Sequence, residues 1–213
     1  MSYEAEESEL SIKAVVFDYG QVISLPQDQT AVDRMAEMAG VERGKFVSTL
    51  WTLRDEYDRG TASSREYYRK VLAALSVDLD MNIIDEIIET DFDSWKNIDH
   101  GTVALMEDVK RAGYTLGILS NMPHDFLAWA REALPVFSLP QVGLFSCDVN
   151  LVKPEEAIYQ KLLSMLGVNG EEVVFFDDKI ENVKGAEILG IKAILWKNPE
   201  DARRKLLSLG VAL

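Results

Sequence analysis

Cysteine is nearly absent from this chain: Cys147 is the only one in 213 residues. A single thiol cannot close an intramolecular disulfide, and such a composition suits a reducing, cytoplasmic setting. Cys147 reads as a small buried apolar residue. Histidine is equally scarce, with only His100 and His124; the latter reads as ordinary packing at a helix start. No apolar run approaches the ~18 residues that a membrane span needs, so no membrane partner is expected. Basic residues are outnumbered, with 22 Lys and Arg against 36 Asp and Glu and a net charge of -14. Nucleic acid binding needs a basic footprint, and that class of partner is excluded. A small phosphorylated metabolite stays compatible, because local cations and a metal ion outweigh the global field. Residues 1–9 are acidic and polar, without the basic and apolar regions of a secretory signal. They read as a frayed, solvated tail. Nothing in the pattern specifies an oligomeric state.

What the chain does have is core material. Apolar residues make up 47%, enough for a packed interior and too many for disorder. Ile12–Phe17 reads as a strand. From Asp28 to Trp95 the apolar spacing is helical, in four blocks: Val32 to Met38, Phe46 to Tyr57, Tyr67 to Leu75 and Ile83 to Ile88. Breaks are expected at Gly40, Gly60 and Val77-Asp78. Helices and strands then alternate: helix 102–112, strand 114–119, helix 125–134, a strand beginning at Leu144-Phe145, helix 154–166, strand 173–176, helix 181–189, strand 193–196 and helix 201–209. Alternation of this kind predicts a parallel sheet covered on both faces, Rossmann-like or flavodoxin-like, with the helical block inserted after strand one. The expected division is a core of residues 1–25 and 98–213, and an inserted helical unit of residues 26–97. Gly60 and the segments at Leu25-Pro26 and Ile98-Asp99 are candidate hinges.

The polar residues that follow the strands carry the chemistry. Asp18 ends the apolar run Ala14-Val15-Val16-Phe17, which places a carboxylate at the C-terminal edge of the sheet, where open α/β sheets bind ligands. Ser120-Asn121 follows the next strand, Lys153-Pro154 opens a helix, and Asp177-Asp178 ends Val173–Phe176. Taken singly these are ordinary features: a turn-forming Asp, a helix-capping Ser-Asn, a solvated Lys, two solvated acids. Adjacent carboxylates at a strand end repel each other, and a divalent cation relieves that repulsion. Together the set contains the parts of phosphoryl transfer through an aspartyl-phosphate.

In order and context these motifs resemble the haloacid dehalogenase-like hydrolase superfamily, from about Ile12 to Trp196. The matching segments are Val16-Phe17-Asp18-Tyr19-Gly20-Gln21-Val22-Ile23, Gly117-Ile118-Leu119-Ser120-Asn121, Val152-Lys153-Pro154 and Phe175-Phe176-Asp177-Asp178-Lys179-Ile180-Glu181-Asn182-Val183-Lys184-Gly185-Ala186. The insertion after the first motif is similar to the family's helical C1 cap. The resemblance implies that Asp18 attacks phosphorus, that Ser120 and Asn121 hold phosphoryl oxygens, and that Lys153 neutralises charge. It implies Mg²⁺ held by Asp18, the carbonyl of Gly20, Asp178 and Asp177.

At Gly20 many phosphatases of the family carry a second Asp that serves as general acid and base. Glycine cannot do that work. The short motif Asp18-Tyr19-Gly20-Gln21-Val22 is similar to that of α-glucose-1-phosphate phosphatase-like sugar phosphatases, and an anomeric leaving group needs less protonation. This implies a Mg-dependent phosphatase acting on a sugar phosphate. Gln21 or a cap residue would then position water. Two alternatives stay open: a 2-haloacid dehalogenase-type hydrolase, or a phosphosugar-binding pseudoenzyme. In the helical unit Trp51, Arg54 and Asp58 share one stripe, which either faces the substrate or is a structural stripe with an Arg54–Asp58 pair. Asn182 to Ala186 reads as scaffold, and the four tryptophans as core or interface material.

Overall fold

The computed structural model describes residues 11–213; the segment 1–9, read above as a tail, lies outside the described residues. Strand β1 is Ala14–Phe17. Five helices follow: α1 Gln29–Met38, α2 Arg43–Thr52, α3 Arg54–Asp58, α4 Ser64–Ala74 and α5 Met81–Ser94. The alternating part comprises α6 His100–Arg111, β2 Thr115–Ser120, α7 His124–Ala133, β3 Val142–Phe145, α8 Ser146–Val149, α9 Glu156–Leu166, β4 Val173–Asp177, α10 Ile180–Glu187, β5 Lys192–Leu195 and α11 Pro199–Ser208. Among the described residues no helix is long and apolar enough to cross a membrane.

The strands make one parallel sheet in the order β3-β2-β1-β4-β5. β1 takes the centre because Ala-Val-Val-Phe carries nothing polar, and all four residues are buried. Such a strand is stable only where helices cover both faces of the sheet. Alternate residues feed two cores. Val15, Phe17, Val174 and Phe176 pack with Leu105, Met106 and Val109 of α6 and Leu206 of α11. Ala14, Val16, Val173 and Phe175 pack with Ile158, Tyr159 and Leu162 of α9 and Ala186 of α10. The result is the three-layer, Rossmann-like α/β/α fold read from the alternation of strands and helices. Gly167, at φ +67, ends α9 where a side chain would be strained.

Three local expectations need correction. The second helical block is two helices, α2 and α3, separated at Leu53. The hydroxyls of Ser48, Thr49 and Thr52 donate to carbonyls three or four residues back, a pattern that bends helices. β3 ends rather than begins at Phe145, and α8 follows it directly. α9 starts at Glu156, because Glu155 before it is extended.

The five helices leave and re-enter the sheet through one opening. Ser24 and Ile98 pair as an antiparallel bridge. Leu25 N donates to Asn97 O at 2.7 Å and Asp99 N to Ile23 O at 2.9 Å. The two segments read as hinges therefore run side by side.

Candidate active site

Parallel pairing sets the geometry of the sheet's C-terminal edge. Phe17 is level with Ile118 on β2 and with Phe176 on β4. The next residues, Asp18, Leu119 and Asp177, are therefore neighbours by register, and the Asp18 amide donates to Phe176 O at 2.9 Å. Beyond Asp18 the chain turns sharply through Tyr19–Ile23, with Gln21 at φ 60, a left-handed conformation uncommon outside glycine.

Lys153 fills the centre of this edge. Its Nζ donates to Asp177 Oδ2 at 2.6 Å, to Leu119 O at 3.1 Å, and lies 2.9 Å from Asp18 Oδ1. An ammonium has three protons, and each has an acceptor. Asp177 is engaged just as fully: its Oδ1 accepts from Lys179 N and from Asn182 Nδ2, both at 2.9 Å. Asn121 clamps the lysine backbone from both sides, accepting from Lys153 N at 2.8 Å and donating to Lys153 O at 3.0 Å. The Asn121 side chain is thus committed to holding Lys153, and the phosphate contact expected of Asn121 is one for its backbone. Asp18 Oδ1 also accepts from the Tyr19 amide at 2.7 Å, which leaves Oδ2 as the freer oxygen.

The electrostatics follow from burial. Desolvation pushes the Asp18 carboxyl up to about 6; Lys153 opposes this, Asp177 adds to it, and the Ser120 hydroxyl opposes it. The Lys153 ammonium is itself desolvated, but the two acids hold it above its ordinary value. Asp178 is raised by burial and by Asp177. In metal-free protein, a ¹³C-labelled Asp18 carboxyl should titrate near the same value, about 6. Added Mg²⁺ should move the midpoint down, since a cation favours the charged form. A metal-free midpoint near the ordinary 3.8 would mean that the lysine outweighs burial.

Carboxylate oxygens of Asp18, Asp177 and Asp178 lie within 4.8 Å of one another. That all-oxygen set fits a hard divalent cation. Asp178 is the more available acid, its Oδ2 accepting among the described residues only from Gln21 Nε2, at 2.8 Å. Above the acids opens a cavity of about 220 Å³, lined by Asp18, Gly20, Gln21, Ser120, Asn121, Lys153 and Asp178. The helical insert closes its far side with Trp51, Arg54, Asp58, Asp91 and Trp95. Of the residues assigned to the site from the sequence, all but Asp177 line this space, and Asp177 accepts a hydrogen bond from Lys153.

The stripe on α2 and α3 holds the Arg54–Asp58 pair that its spacing allowed, and it borders the cavity. Arg54 pairs with Asp58 at 2.8 Å, stacks near Tyr57 (5.0 Å) and Trp51 (5.5 Å), and lines the cavity. Trp51 is not core: it is 47% exposed, and Lys179 Nζ stands 5.2 Å from its ring across the cavity mouth. A Cβ at position 20 would stand 3.7 Å from Trp95 Cζ3, an ordinary van der Waals contact.

Sequence reasoning did not place Lys179, Asp91 or Trp95 at the site, and it read Asn182 as scaffold, although Asn182 lines the cavity. Asn182 carried a usable signal: it sits in the first turn of α10, facing back to the end of β4. Gly185 packs closely against its neighbours. A Cβ there would meet Pro154 O at 2.8 Å and Tyr159 Cε2 at 3.0 Å. Gly185→Ala should lower stability by about 1–3 kcal/mol through overpacking. It should also reduce turnover, because the displaced backbone carries Lys153. Unchanged turnover with a lowered melting temperature would separate the two effects.

The model of the haloacid dehalogenase-like hydrolase family matches residues 12–190. Phosphatase MT3486 of Mycobacterium tuberculosis is 28% identical, covering 96% of this chain and 98% of its own length. (S)-2-haloacid dehalogenase 4A of Burkholderia cepacia is 27% identical, over 86% of this chain and 82% of the dehalogenase. A HAD family enzyme from Bacteroides thetaiotaomicron, solved with magnesium and inorganic phosphate, superposes with a TM-score of 0.71 at 20% identity, over 88% and 96% of the two chains. With 179 consecutive positions matched, the sheet edge around Asp18 has its family: this chain belongs to the haloacid dehalogenase-like hydrolases.

Proposed function

We propose that this chain hydrolyses a small phosphate monoester with the help of Mg²⁺. The observation that carries the reading is the Lys153 ammonium, 2.9 Å from Asp18 and 2.6 Å from Asp177, beside a third acid at the same cavity. An anionic nucleophile cannot approach an anionic phosphoryl group without cations between them. Asp18 Oδ2 attacks phosphorus, the bond to the leaving alcohol breaks, and the alkoxide takes a proton from solvent. Water then attacks the acyl phosphate at phosphorus, inorganic phosphate departs, and Asp18 is restored. Lys153 holds Asp18 in place and tempers its charge, and Ser120 donates to a phosphoryl oxygen. Asp18, Asp178 and the Gly20 carbonyl would hold Mg²⁺, which would supply the positive charge needed between the two anions. Asp177 has three donors already, so its part is chiefly to position Lys153.

Residues 26–97 serve as a C1-type cap over a core of 1–25 and 98–213. Trp51 and Arg54 then meet the leaving group. A sugar 1-phosphate fits best: its anomeric oxygen leaves without strong protonation, and Gly20 offers none. General acid–base help is worth ~10²–10⁴-fold, so its absence restricts the leaving group rather than ending catalysis. Gln21, tied to Asp178, is placed to orient water. A cytoplasmic setting suits the single buried cysteine.

The second reading is displacement of halide from a 2-haloacid, favoured by the similarity to the Burkholderia dehalogenase and by Arg54 as a carboxylate partner. The Asp177-Asp178 pair weighs against it, since displacement at carbon gains nothing from a cation site. A panel of sugar 1- and 6-phosphates and 2-haloacids, run with Mg²⁺ and with EDTA, tests both. Phosphate release that EDTA abolishes and Mg²⁺ restores is expected. Metal-independent halide release would move the assignment to the second reading, and silence with measurable ligand binding would mark a pseudoenzyme.

A further inference from the structure

The geometry points to a second cation site, formed by His124, Cys147 and Asp148, for a borderline-soft divalent ion such as Zn²⁺. His124 opens α7, and Cys147 and Asp148 belong to α8. The three ligand atoms lie within 4.8 Å of one another. His124 Nδ1 and Cys147 Sγ each stand 4.0 Å from the same oxygen, Asp148 Oδ1. Zinc bonds are about 2.0–2.3 Å to nitrogen, oxygen and sulfur, so modest side-chain rotations close the triangle on one ion. None of the three lines the Asp18 cavity.

The surroundings orient these donors. A Cβ built on Gly60 would meet His124 Nε2, His124 Cδ2 and Cys147 Cβ, each at 2.8 Å. The bare backbone of Gly60, at φ +75, therefore covers the Nε2 edge of the imidazole and leaves Nδ1 on the Asp148 side. Cys147 is buried, whereas His124 and Asp148 are 54% and 42% exposed. That exposure supplies an entry path and a fourth position for water. Arg131 approaches the other Asp148 oxygen, Oδ2, at 3.8 Å, and Oδ1 remains for the ion.

Sulfur and imidazole select against Mg²⁺, just as an all-oxygen cluster selects for it. The chain would thus sort two kinds of cation between two sites. Binding exchanges the S–H bond for a sulfur–metal bond and releases one proton to solvent. The ion would join the start of α7 to α8 beneath Gly60. There Ser146 donates to the carbonyl of Asp58, so loading stiffens the seam between the helical insert and the sheet.

Cobalt(II), added to the whole protein in saturating Mg²⁺, tests this directly. Cys147 is the only cysteine, so a near-ultraviolet thiolate-to-cobalt band has one possible source. One band-forming cobalt and one released proton per chain are expected, with cobalt displaced by Zn²⁺. Cys147→Ser should remove the band. His124→Ala and Asp148→Asn should weaken binding at least about tenfold, with circular dichroism confirming that each variant is folded. Absence of the band in the wild-type protein at millimolar cobalt overturns the proposal. So does a band that the His124 and Asp148 variants leave unchanged. The carboxylate cluster around Asp18 holds no sulfur, so failure of the phosphatase reading neither creates nor removes this signal.

Discussion

Asp18→Asn should leave a folded protein that no longer turns over substrate. Asparagine keeps the shape of the side chain but has no anionic oxygen to attack phosphorus. Its amide also sets a donor or a neutral acceptor against the Lys153 ammonium, which stands 2.9 Å from Asp18 Oδ1. Lys153 retains two acceptors, Asp177 Oδ2 and Leu119 O, so the loop that carries it stays anchored. Burial already disfavours the charged form of Asp18, which makes a neutral replacement tolerable to the fold. Loss of a nucleophile removes the pathway rather than weakening it, and a fall of about 10⁴-fold or more is expected. Phosphate release and far-ultraviolet circular dichroism, measured together, check the prediction. Hydrolysis near the wild-type rate by the folded variant would assign the attack to another group.

The parts of this molecule that were legible in sequence are those where one physical demand dominates. β1 and β4 are buried on both faces, so they appear as unbroken apolar runs, and the acids that end them stand out. β3 was harder to read, because Gly143 and the partly exposed Val142 interrupt its apolar character. The break at Leu53 follows three hydroxyl-to-carbonyl bonds on α2 and has no glycine or proline to mark it. At the site, residue types showed which groups gather but not how their hydrogen bonds are shared. Asn121 was legible as a neighbour of the chemistry; that its amide holds Lys153 at both backbone atoms depends on the path of the loop after α8. The spacing of Trp51, Arg54 and Asp58 defined a stripe without its direction. Whether it met the sheet edge depended on how Ser24 and Ile98 pair at the base of the insert, a contact between residues 74 positions apart.

Lys153→Met should be the most destabilising single change at the sheet edge, and it should also end turnover. Methionine approximates the aliphatic stem but leaves Asp18 and Asp177 buried without their shared cation. Removing one partner of a buried ion pair typically lowers stability by about 3–5 kcal/mol. The loss should depend on pH, and its sign follows from Asp18. In the folded protein that carboxyl already lies above its ordinary 3.8, at about 6, with Lys153 pulling it down. Without the ammonium it rises further. A group whose pKa is raised on folding contributes stability that is present below its unfolded value and is lost as pH rises through the folded one. The gap between variant and wild type should therefore be small near pH 5 and larger near pH 8 in urea unfolding. Adding Asp177→Asn to the variant should recover part of the loss, because only one buried acid then lacks a counter-charge, and the shortfall from additivity measures the coupling. An equal loss at both pH values, with no recovery in the double variant, would mean that Lys153 supports the fold through packing of its stem. In that case the three contacts of its ammonium would hold the nucleophile in place without stabilising the sheet edge.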